Sequence, residues 1–381
     1  MTTAQELVGA FERLNGFRPS GVWAAPGRVN LIGEHTDYVG GYVLPLALPQ
    51  QALAAVGLRY DGILSCASTL TDERVELDVA DLRPGRVTGW AAYPAGVVWA
   101  LRAADHDLAG ADILVGGDVP IGAGLSSSAA LECVVGLALG ELNNLHLGRA
   151  ELALLCQQAE NAFVGMPSGV MDQMASACCT DGHALFLDCR SLHAEQVPFT
   201  LGDQGLELLV IDTRAPHRLV DGAYADRRMS VEEAAMALGV RSLRDVPRES
   251  LGDIGALDER LRPRARHVIT ENARVLVTVD LLRAGEYAAV GQLMTMSHAS
   301  LRDDYEVSCP ELDTAVAAAL EAGALGARMT GGGFGGSAIA LIAHDRRDEV
   351  ERAVRAAFAG RDFAAPRFFR ATPSAGARRL L

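Results

Sequence analysis

Lysine is missing from this chain: each of the 34 basic residues among its 381 residues is an arginine. A Walker A loop, a eukaryotic-type protein kinase and Schiff-base catalysis each depend on a lysine side chain. The composition therefore excludes all three mechanisms. The formal net charge of −14 also disfavours binding to polyanions, which depends on clustered cationic side chains, so we expect no nucleic-acid partner.

Cysteine pairs and long apolar runs are missing as well. The seven cysteines are odd in number and include no Cys-x-x-Cys spacing, which argues against a disulfide framework or a zinc site. No apolar run approaches the ~20 residues that span a bilayer. Residues 1–14 have the pattern of an amphipathic helix rather than of a secretory signal. We therefore expect a cytoplasmic protein with reduced thiols and no membrane partner.

What is present is a mixture of short strand and helix patterns in both halves of the chain, joined by glycine-rich segments. Alternating or β-branched runs predict strands at Gly21–Ala25, Gln51–Arg59, Val75–Val79, Asp112–Val115, Ala184–Asp188, Glu207–Ile211 and Ala338–Ala343. Apolar residues at three- and four-residue spacing predict helices at Ser126–Leu142, Arg149–Val164, Ala225–Leu238, Glu311–Glu321 and Asp345–Phe358. The polar stretch Arg190–Gly202 predicts a boundary near residue 200, between domains 1–200 and 201–381.

The first glycine-rich segment, Ala25–Gly41, places Arg, Glu, His, Asp and Tyr side chains between glycines. Glu34 and Asp37 are suited to accept hydrogen bonds from hydroxyl groups, and Arg28 offers a fixed fork of donors to a phosphate. The segment is therefore a candidate site for a polar ligand. The alternative is a solvated loop with incidental ion pairs, because charged residues are common in loops.

The second segment, Gly117–Glu132, lies between a predicted strand and a predicted helix. Its glycines allow a ligand to approach the backbone, and Ser126–Ser128 begin a helix whose free N–H groups and positive dipole end suit phosphate oxygens. This arrangement would hold a nucleotide without lysine. The alternative is a plain serine N-cap. A nucleophile elbow does not fit, because Ser128 stands where Gly-x-Ser-x-Gly requires its last glycine.

The third segment, Met329–Ser337, contains Gly-x-Gly-x-x-Gly through Gly331, Gly333 and Gly336. A dinucleotide fingerprint opens a helix, whereas a strand pattern follows here, so the Rossmann interpretation fails. We expect a tight hairpin-like turn. In a functional site this turn would pack beside the phosphates and close the site.

Asp172 stands in an apolar stretch between the second and third segments, flanked by Val170, Met171 and Met174. A partly desolvated carboxylate is either paired or poised for proton transfer. The alternative is a structural role at the N-terminus of a helix.

Taken in order, these three segments and the stretch around Asp172 resemble the GHMP small-molecule kinases. The run Gly27–Tyr38 is similar to the signature of the family members that phosphorylate galactose, and the similarity extends from about Val22 to Arg378. Val39 departs from the pattern, in which asparagine is frequent, and touches none of the roles assigned below. The resemblance implies a two-domain α+β fold, with an N-terminal ribosomal-protein-S5-like domain, a C-terminal ferredoxin-like domain and the active site between them.

The resemblance also implies individual roles. Asp172 would be the catalytic residue beside the anomeric hydroxyl of α-D-galactose, accepting its proton during attack on ATP, and Arg28 would orient Asp172 and stabilise the transferring phosphate. Galactose would contact Glu34, His35, Asp37, Gly169, Asp172 and Tyr224. The ATP phosphates would contact Gly122, Ala123, Gly124, Leu125, Ser126, Ser127 and Ser128. Mg²⁺ would be bound by Ser128 and Glu160, since magnesium prefers oxygen ligands.

Two alternatives to a galactose kinase remain open on the sequence. One is another sugar 1-kinase of the same family, acting on N-acetylgalactosamine or arabinose. The other is a sensor that binds galactose and ATP without turnover, against which the uninterrupted Ser126–Ala130 and the presence of Arg28 and Asp172 both argue. In each case the expected partners are small molecules, and we expect a monomer.

Overall fold

The computed structural model describes residues 3–215 and 220–381. Within these ranges the strands are β1 (Gly21–Asn30), β2 (Tyr42–Val43), β3 (Pro45–Arg59), β4 (Ile63–Ser68), β5 (Arg74–Asp78), β6 (Gly110–Gly117), β7 (His183–Asp188), β8 (His193–Pro198), β9 (Leu206–Asp212), β10 (Gly326–Thr330), β11 (Ser337–Ala343), β12 (Arg367–Ala371) and β13 (Arg378–Arg379). The α-helices are α1 (Ala4–Asn15), α2 (Ala92–Ala103), α3 (Ser127–Leu142), α4 (Arg149–Gln158), α5 (Met171–Cys178), α6 (Val220–Ala237), α7 (Leu261–Ala284), α8 (Tyr287–Asp303), α9 (Pro310–Glu321) and α10 (Arg347–Ala359).

The described strands form three sheets. A six-stranded sheet has the order β13-β1-β3-β6-β4-β5, in which β4 and β6 are parallel and the other neighbours are antiparallel. An antiparallel sheet in the C-terminal half has the order β10-β11-β9-β12, and a small sheet has the order β2-β7-β8. Because β13 pairs with β1, with Trp23 opposite Arg379, residues with low and high sequence numbers belong to the same sheet.

Buried apolar residues give each half its own core. Trp23 and Leu139 belong to the core between the six-stranded sheet and α2–α5. Leu312 and Phe358 belong to the core of the C-terminal helices and sheet. A third buried cluster connects residues of the two halves: Val29, Leu31, Leu46, Val275, Met294 and Ile339 are among its members. The two halves are thus packed against each other and an α+β fold results.

The seven strand predictions and the amphipathic N-terminal helix are confirmed within the described residues, with ends shifted by a few positions. The third glycine-rich segment is the predicted hairpin turn, since Thr330 pairs with Ser337 across it. The polar stretch Arg190–Gly202 is not a plain connection, because it contains β8. Its polar, partly exposed residues hide the alternation that marks a strand.

All five predicted helices occur among the described residues with shifted ends, and the helix predicted at Ala225–Leu238 is α6, which begins at Val220. The predicted helix Arg149–Val164 is α4 followed by a π-helical turn, Ala159–Val164. Helix α3 begins at Ser127, one residue after the predicted start. None of the described helices is both long and apolar enough to cross a membrane.

Candidate active site

A cavity of about 290 Å³ lies where the three glycine-rich segments converge. The segments reach it from β1, from the N-terminus of α3 and from the turn between β10 and β11. Glu160, residues 166–169, the first turn of α5 and one residue of α6 complete its wall. The volume is near the lower end of the roughly 300–1,000 Å³ that is typical of small-molecule sites.

Arg28 and Asp172 form a two-pronged ion pair in this cavity. Arg28 Nε donates to Asp172 Oδ1 and Arg28 Nη2 donates to Asp172 Oδ2, both at 2.7 Å, while Nη1 donates to the carbonyl oxygen of Gly124 at 2.8 Å. The register of β1 shifts between Pro26 and Arg28, and such a bulge redirects a side chain. Of the two states expected for Asp172, the structure therefore shows the paired one.

Ser126 has a left-handed backbone, with φ of 57°, and its hydroxyl donates a hydrogen bond to Asp172 Oδ2. Its side chain makes no cap to α3, so the plain N-cap interpretation is wrong. The first backbone N–H groups of a helix have no partner within the helix. In α3 these groups lie beside Ser127 and Ser128, which line the cavity, and a helix N-terminus of this kind is suited to an anion.

Glu34 is buried, with 2% of its surface exposed, and its carboxylate is held by groups from both halves of the chain. Oε1 accepts from the backbone N–H of Gly331 at 2.7 Å and Oε2 accepts from Asn30 Nδ2 at 2.9 Å. Burial raises the pKa of Glu34, and the positive charges of Arg328 and Arg28 oppose this increase. The first and third segments are thereby joined at Glu34.

His35 lines the cavity, but both of its ring nitrogens are bonded within the protein. Nδ1 lies 3.0 Å from the Tyr38 hydroxyl and Nε2 lies 3.1 Å from the carbonyl oxygen of Gly332. A carbonyl only accepts, which assigns the proton to Nε2 and makes Nδ1 the acceptor from Tyr38. Burial lowers the pKa of His35 to about 3, so the ring is neutral and its role is to shape the wall.

Asp37 and Gly169 are in direct contact. A Cβ added at Gly169 would collide with the Asp37 carboxylate, which explains why this position carries no side chain. Burial, followed by the negative charge of Asp172, raises the pKa of Asp37 to about 7. The ring of Tyr224, on α6, lies 5.5 Å from that of His35 and 5.6 Å from that of Tyr38.

Glu160 lies in the π-helical turn and is 7% exposed. Its Oε2 accepts from the Ser168 hydroxyl at 2.7 Å and from Gln173 Nε2 at 2.8 Å, and the same amide nitrogen lies 3.0 Å from Glu132 Oε2. Burial raises the pKa of Glu160, and hydrogen bonds from Ser168 and Ser128 are among the effects that oppose it. No group of three or more potential side-chain metal ligands occurs among residues 3–215 and 220–381.

The structure brings the sequence-predicted site residues together with one exception. Those that line the cavity are Arg28, Glu34, His35, Asp37, Gly122, Gly124, Leu125, Ser126, Ser127, Ser128, Glu160, Gly169, Asp172 and Tyr224. Ala123 lies outside it, buried in the cluster between the halves, where its carbonyl accepts from Ser337. Sequence reasoning missed Asn30 and Thr330, although the first and third segments contain them and thus offered a signal.

Comparison with known proteins identifies first the class of protein and then a narrower group within that class. The GHMP kinase N-terminal domain model matches residues 92–180, the C-terminal model matches residues 278–360, and the galactokinase galactose-binding signature matches residues 9–58. Mevalonate kinase of Methanococcus jannaschii shares the fold, with a TM-score of 0.65 at 17% identity over 94% of this chain and 98% of that one. These matches define a GHMP kinase.

Closer relatives narrow the class. Galactokinase of Streptomyces coelicolor is 56% identical over 97% of both chains, and that of Mycobacterium tuberculosis strain H37Rv is 45% identical over 88% of this chain and 92% of its own. The structure of Lactococcus lactis galactokinase complexed with galactose matches with a TM-score of 0.95, 35% identity and 99% coverage of both chains. The chain belongs to the galactokinases of the GHMP kinase family.

Proposed function

We propose that the cavity binds α-D-galactose and ATP and transfers the γ-phosphoryl group to the anomeric hydroxyl, giving galactose 1-phosphate and ADP. One observation carries the proposal. The Arg28–Asp172 pair lies between a segment rich in hydroxyl-binding side chains and the uncapped N-terminus of α3. A sugar and a nucleotide phosphate would therefore meet at this pair.

The sugar side of the proposal depends on acceptors in fixed positions. Glu34 and Asp37 supply carboxylate oxygens, Gly169 leaves room for Asp37, and Tyr224 and His35 supply ring surface. A site built to bond a hydroxyl leaves buried groups unpaired when an epimer lacks that hydroxyl. These residues would thereby select galactose among hexoses.

The phosphate side of the proposal needs no lysine. Ser127 and the free N–H groups of α3 would bind the β- and γ-phosphates, with Gly122 and Gly124 allowing close approach. Positioning and charge neutralisation dominate phosphoryl transfer. Arg28 supplies a fixed positive charge for this purpose.

Ser128 and Glu160 would hold Mg²⁺ beside the phosphates. Both residues offer oxygen atoms, which magnesium prefers as ligands. In addition, the buried Glu132 shares the Gln173 amide with Glu160, and Oε1 of Glu132 has no hydrogen-bond partner. An acidic region of this kind favours a hard cation. When bound, the ion would neutralise charge on the transferring group.

Asp172 would accept the proton of the anomeric hydroxyl while the new O–P bond forms and ADP leaves. Its carboxylate already accepts from Arg28 and Ser126, which fixes its orientation toward the sugar. Orientation of the attacking group is a large part of such catalysis. Arg28 would thus both orient Asp172 and stabilise the phosphoryl group.

The proposal is tested by ADP release in the presence of ATP and magnesium, with galactose, N-acetylgalactosamine, arabinose and glucose compared as acceptors. We expect turnover with galactose well above the others. Preference for N-acetylgalactosamine or arabinose would keep the mechanism and reject the assigned sugar. Galactose binding by calorimetry with no turnover would favour the sensor alternative.

The proposal also covers the domain boundary, the oligomeric state and the cellular compartment. We place the domain boundary near residue 200, because most residues before it contribute to one core and most residues after it to another, with Ala377 as an exception in the first core. We also propose a monomer as the active unit, since the proposed site residues of this chain converge on a single cavity. The seven cysteines are free, which suits a reducing cytoplasm.

A further inference from the structure

Arg328, on β10, is fully buried and only partly bonded. Its Nη1 donates to the carbonyl oxygen of Asn30 at 3.2 Å, whereas Nε and Nη2 have no hydrogen-bond partner. A guanidinium keeps its charge in proteins, and burying a charge is costly unless an opposite charge is close. The single hydrogen bond of Arg328 therefore does not compensate for the burial of its charge.

Glu34 is the acidic group that the structure pairs with it. Arg328 Nη2 lies 3.6 Å from Glu34 Oε1, with side-chain exposures of 0% and 2%. This is an ion pair without a hydrogen bond, inside the protein and behind the cavity wall. Arg328 is not among the residues that line the cavity, so it reaches a ligand only through Glu34.

The remaining contacts of Glu34 depend on its charge. Oε1 accepts from the Gly331 N–H and lies 3.3 Å from the Thr330 hydroxyl, and Oε2 accepts from Asn30. These groups offer protons to an ionised carboxylate. A carboxyl group that had taken up a proton would lose an acceptor position and gain a donor. Burial alone favours that protonated form, and the charge of Arg328 opposes it.

We propose that Arg328 is a positioning residue for galactose recognition, which holds the Glu34 carboxylate in place from behind the cavity wall so that it accepts a sugar hydroxyl. The inference rests on the proposed role of Glu34 in binding galactose. It adds that strand β10, in the C-terminal half, sets the hydrogen-bonding character of a residue in the first glycine-rich segment. Sugar affinity is then coupled to the packing of the two halves.

The test is a double-mutant cycle on the full chain with Glu34→Gln, Arg328→Gln and the double variant. Galactose and ATP affinities are measured separately by calorimetry, with thermal unfolding measured in parallel. We expect Arg328→Gln to weaken galactose binding about 10- to 100-fold, the usual range when a hydrogen bond to a charged group is lost, here the bond from the sugar hydroxyl to Glu34, and to change ATP affinity less than twofold. The double variant should bind galactose no more weakly than Glu34→Gln alone.

Two further variants separate positioning from folding. Arg328→Lys restores the charge and should recover part of the lost galactose affinity. Arg59→Gln is the matched control, because Arg59 pairs with the buried Asp112 at 3.0 Å in the six-stranded sheet; it should lower stability without changing galactose affinity. The double variant leaves no lone buried charge, so it remains available if Arg328→Gln alone does not fold.

The outcomes distinguish the inference from the proposed function. If Glu34→Gln binds galactose normally, the sugar-binding role of Glu34 is wrong and the inference falls with it. If Glu34→Gln weakens binding but the effects of the two single variants add in full, Glu34 keeps its role and the positioning role of Arg328 is rejected. Equal losses of galactose and ATP affinity in Arg328→Gln would likewise show a purely structural role.

Discussion

Asp172 and Arg28 are separated by 144 positions in the sequence and touch through two hydrogen bonds in the cavity. Neither side chain can be replaced without leaving the other partly unpaired, because Arg28 is only 4% exposed. The same holds for Glu34 with Arg328, whereas Asp37 depends on the space that Gly169 leaves by carrying no side chain. The positions of side chains in this site therefore depend on their neighbours in the protein as much as on the proposed ligands.

Substitution of Asp172 by asparagine keeps the size of the side chain and removes its ability to take a proton. We expect kcat to fall by roughly 10²–10⁴ while galactose affinity stays largely intact. Steady-state kinetics and calorimetry check the two parts. Asp280→Asn, at a side chain that is 78% exposed, is the control, and near-normal turnover of Asp172→Asn would reject Asp172 as the catalytic residue.

Gly169→Ala adds one carbon at the point where Asp37 contacts the backbone. Because the new Cβ would displace the Asp37 carboxylate, we expect galactose affinity to fall about tenfold or more and ATP affinity to stay unchanged. Calorimetry with each ligand measures this. Gly255→Ala is the matched control, since nothing lies within 4 Å of a Cβ at that position. Equal affinity for galactose in both variants would contradict the steric argument.

The titration of Asp37 should be visible in the stability of the unliganded protein. Its pKa is raised from 3.8 to about 7, so the folded state holds the proton more tightly than the unfolded chain. The stability from this group is present below the unfolded pKa and is lost as the pH rises from about 4 to about 7. Asp37→Asn should thus become more stable relative to wild type over this range in urea unfolding, and a constant difference would refute the shift.

Helix α3 shows how one element combines a fold with a site. Its N-terminus lacks a side-chain cap although its body packs on β1 and β3. An uncapped end is less stable than a capped one, and the unpaired N–H groups remain available for an anion. The helix is thus less stable than a capped helix at the point where we propose that phosphate binds.

Ser127→Asp tests this relation directly. A negative charge in the first turn should leave the melting temperature equal or higher, since it favours the helix dipole by about 0.3–1 kcal/mol. It should weaken ATP binding by repelling the phosphates, with galactose affinity unchanged. Ser127→Asn is the neutral control. Unchanged ATP affinity in Ser127→Asp would show that the nucleotide binds elsewhere.

Sequence patterns predicted elements with local signals and missed those without them. Helix α3 has a glycine-serine entry and regular apolar spacing, whereas α5 is only 8 residues long and too short for a periodic apolar pattern to be recognised. The site residues within the glycine-rich segments were found for the same local reason. Arg328 was not, because its role depends on the register that places β10 behind Glu34.

The whole molecule depends on contacts between its halves, and Arg244 makes several of them. Its Nη2 donates to Asp188 Oδ2 at 2.7 Å and to the Tyr42 hydroxyl at 2.8 Å, and its guanidinium lies 4.2 Å from the Tyr42 ring. The Arg244 hydrogen bond holds the pKa of Asp188 below its usual range. Arg244 thus links the turn after α6 to the small sheet.

Arg244→Met should therefore lower the free energy of unfolding at pH 7 by about 1–3 kcal/mol. Arg283→Met is the control, because the Arg283–Glu195 pair is about half exposed and such pairs contribute at most about 1 kcal/mol. Urea unfolding of both variants measures the difference. Both pairs join the two halves, so equal losses would show that the burial of the Arg244 contacts adds nothing to their contribution.

Because β13 pairs with β1, the six-stranded sheet stays incomplete until β13 has been synthesised. Ribosomes release β1, β3 and β6 long before β13, so the outer edge of β1 emerges with unpaired N–H and C=O groups, and Val22 N lacks the Leu381 carbonyl that it meets in the finished protein. An open strand edge is a template for aggregation. Nascent chains that stop before Arg378 would carry this edge permanently, which makes them natural clients of chaperones and proteases.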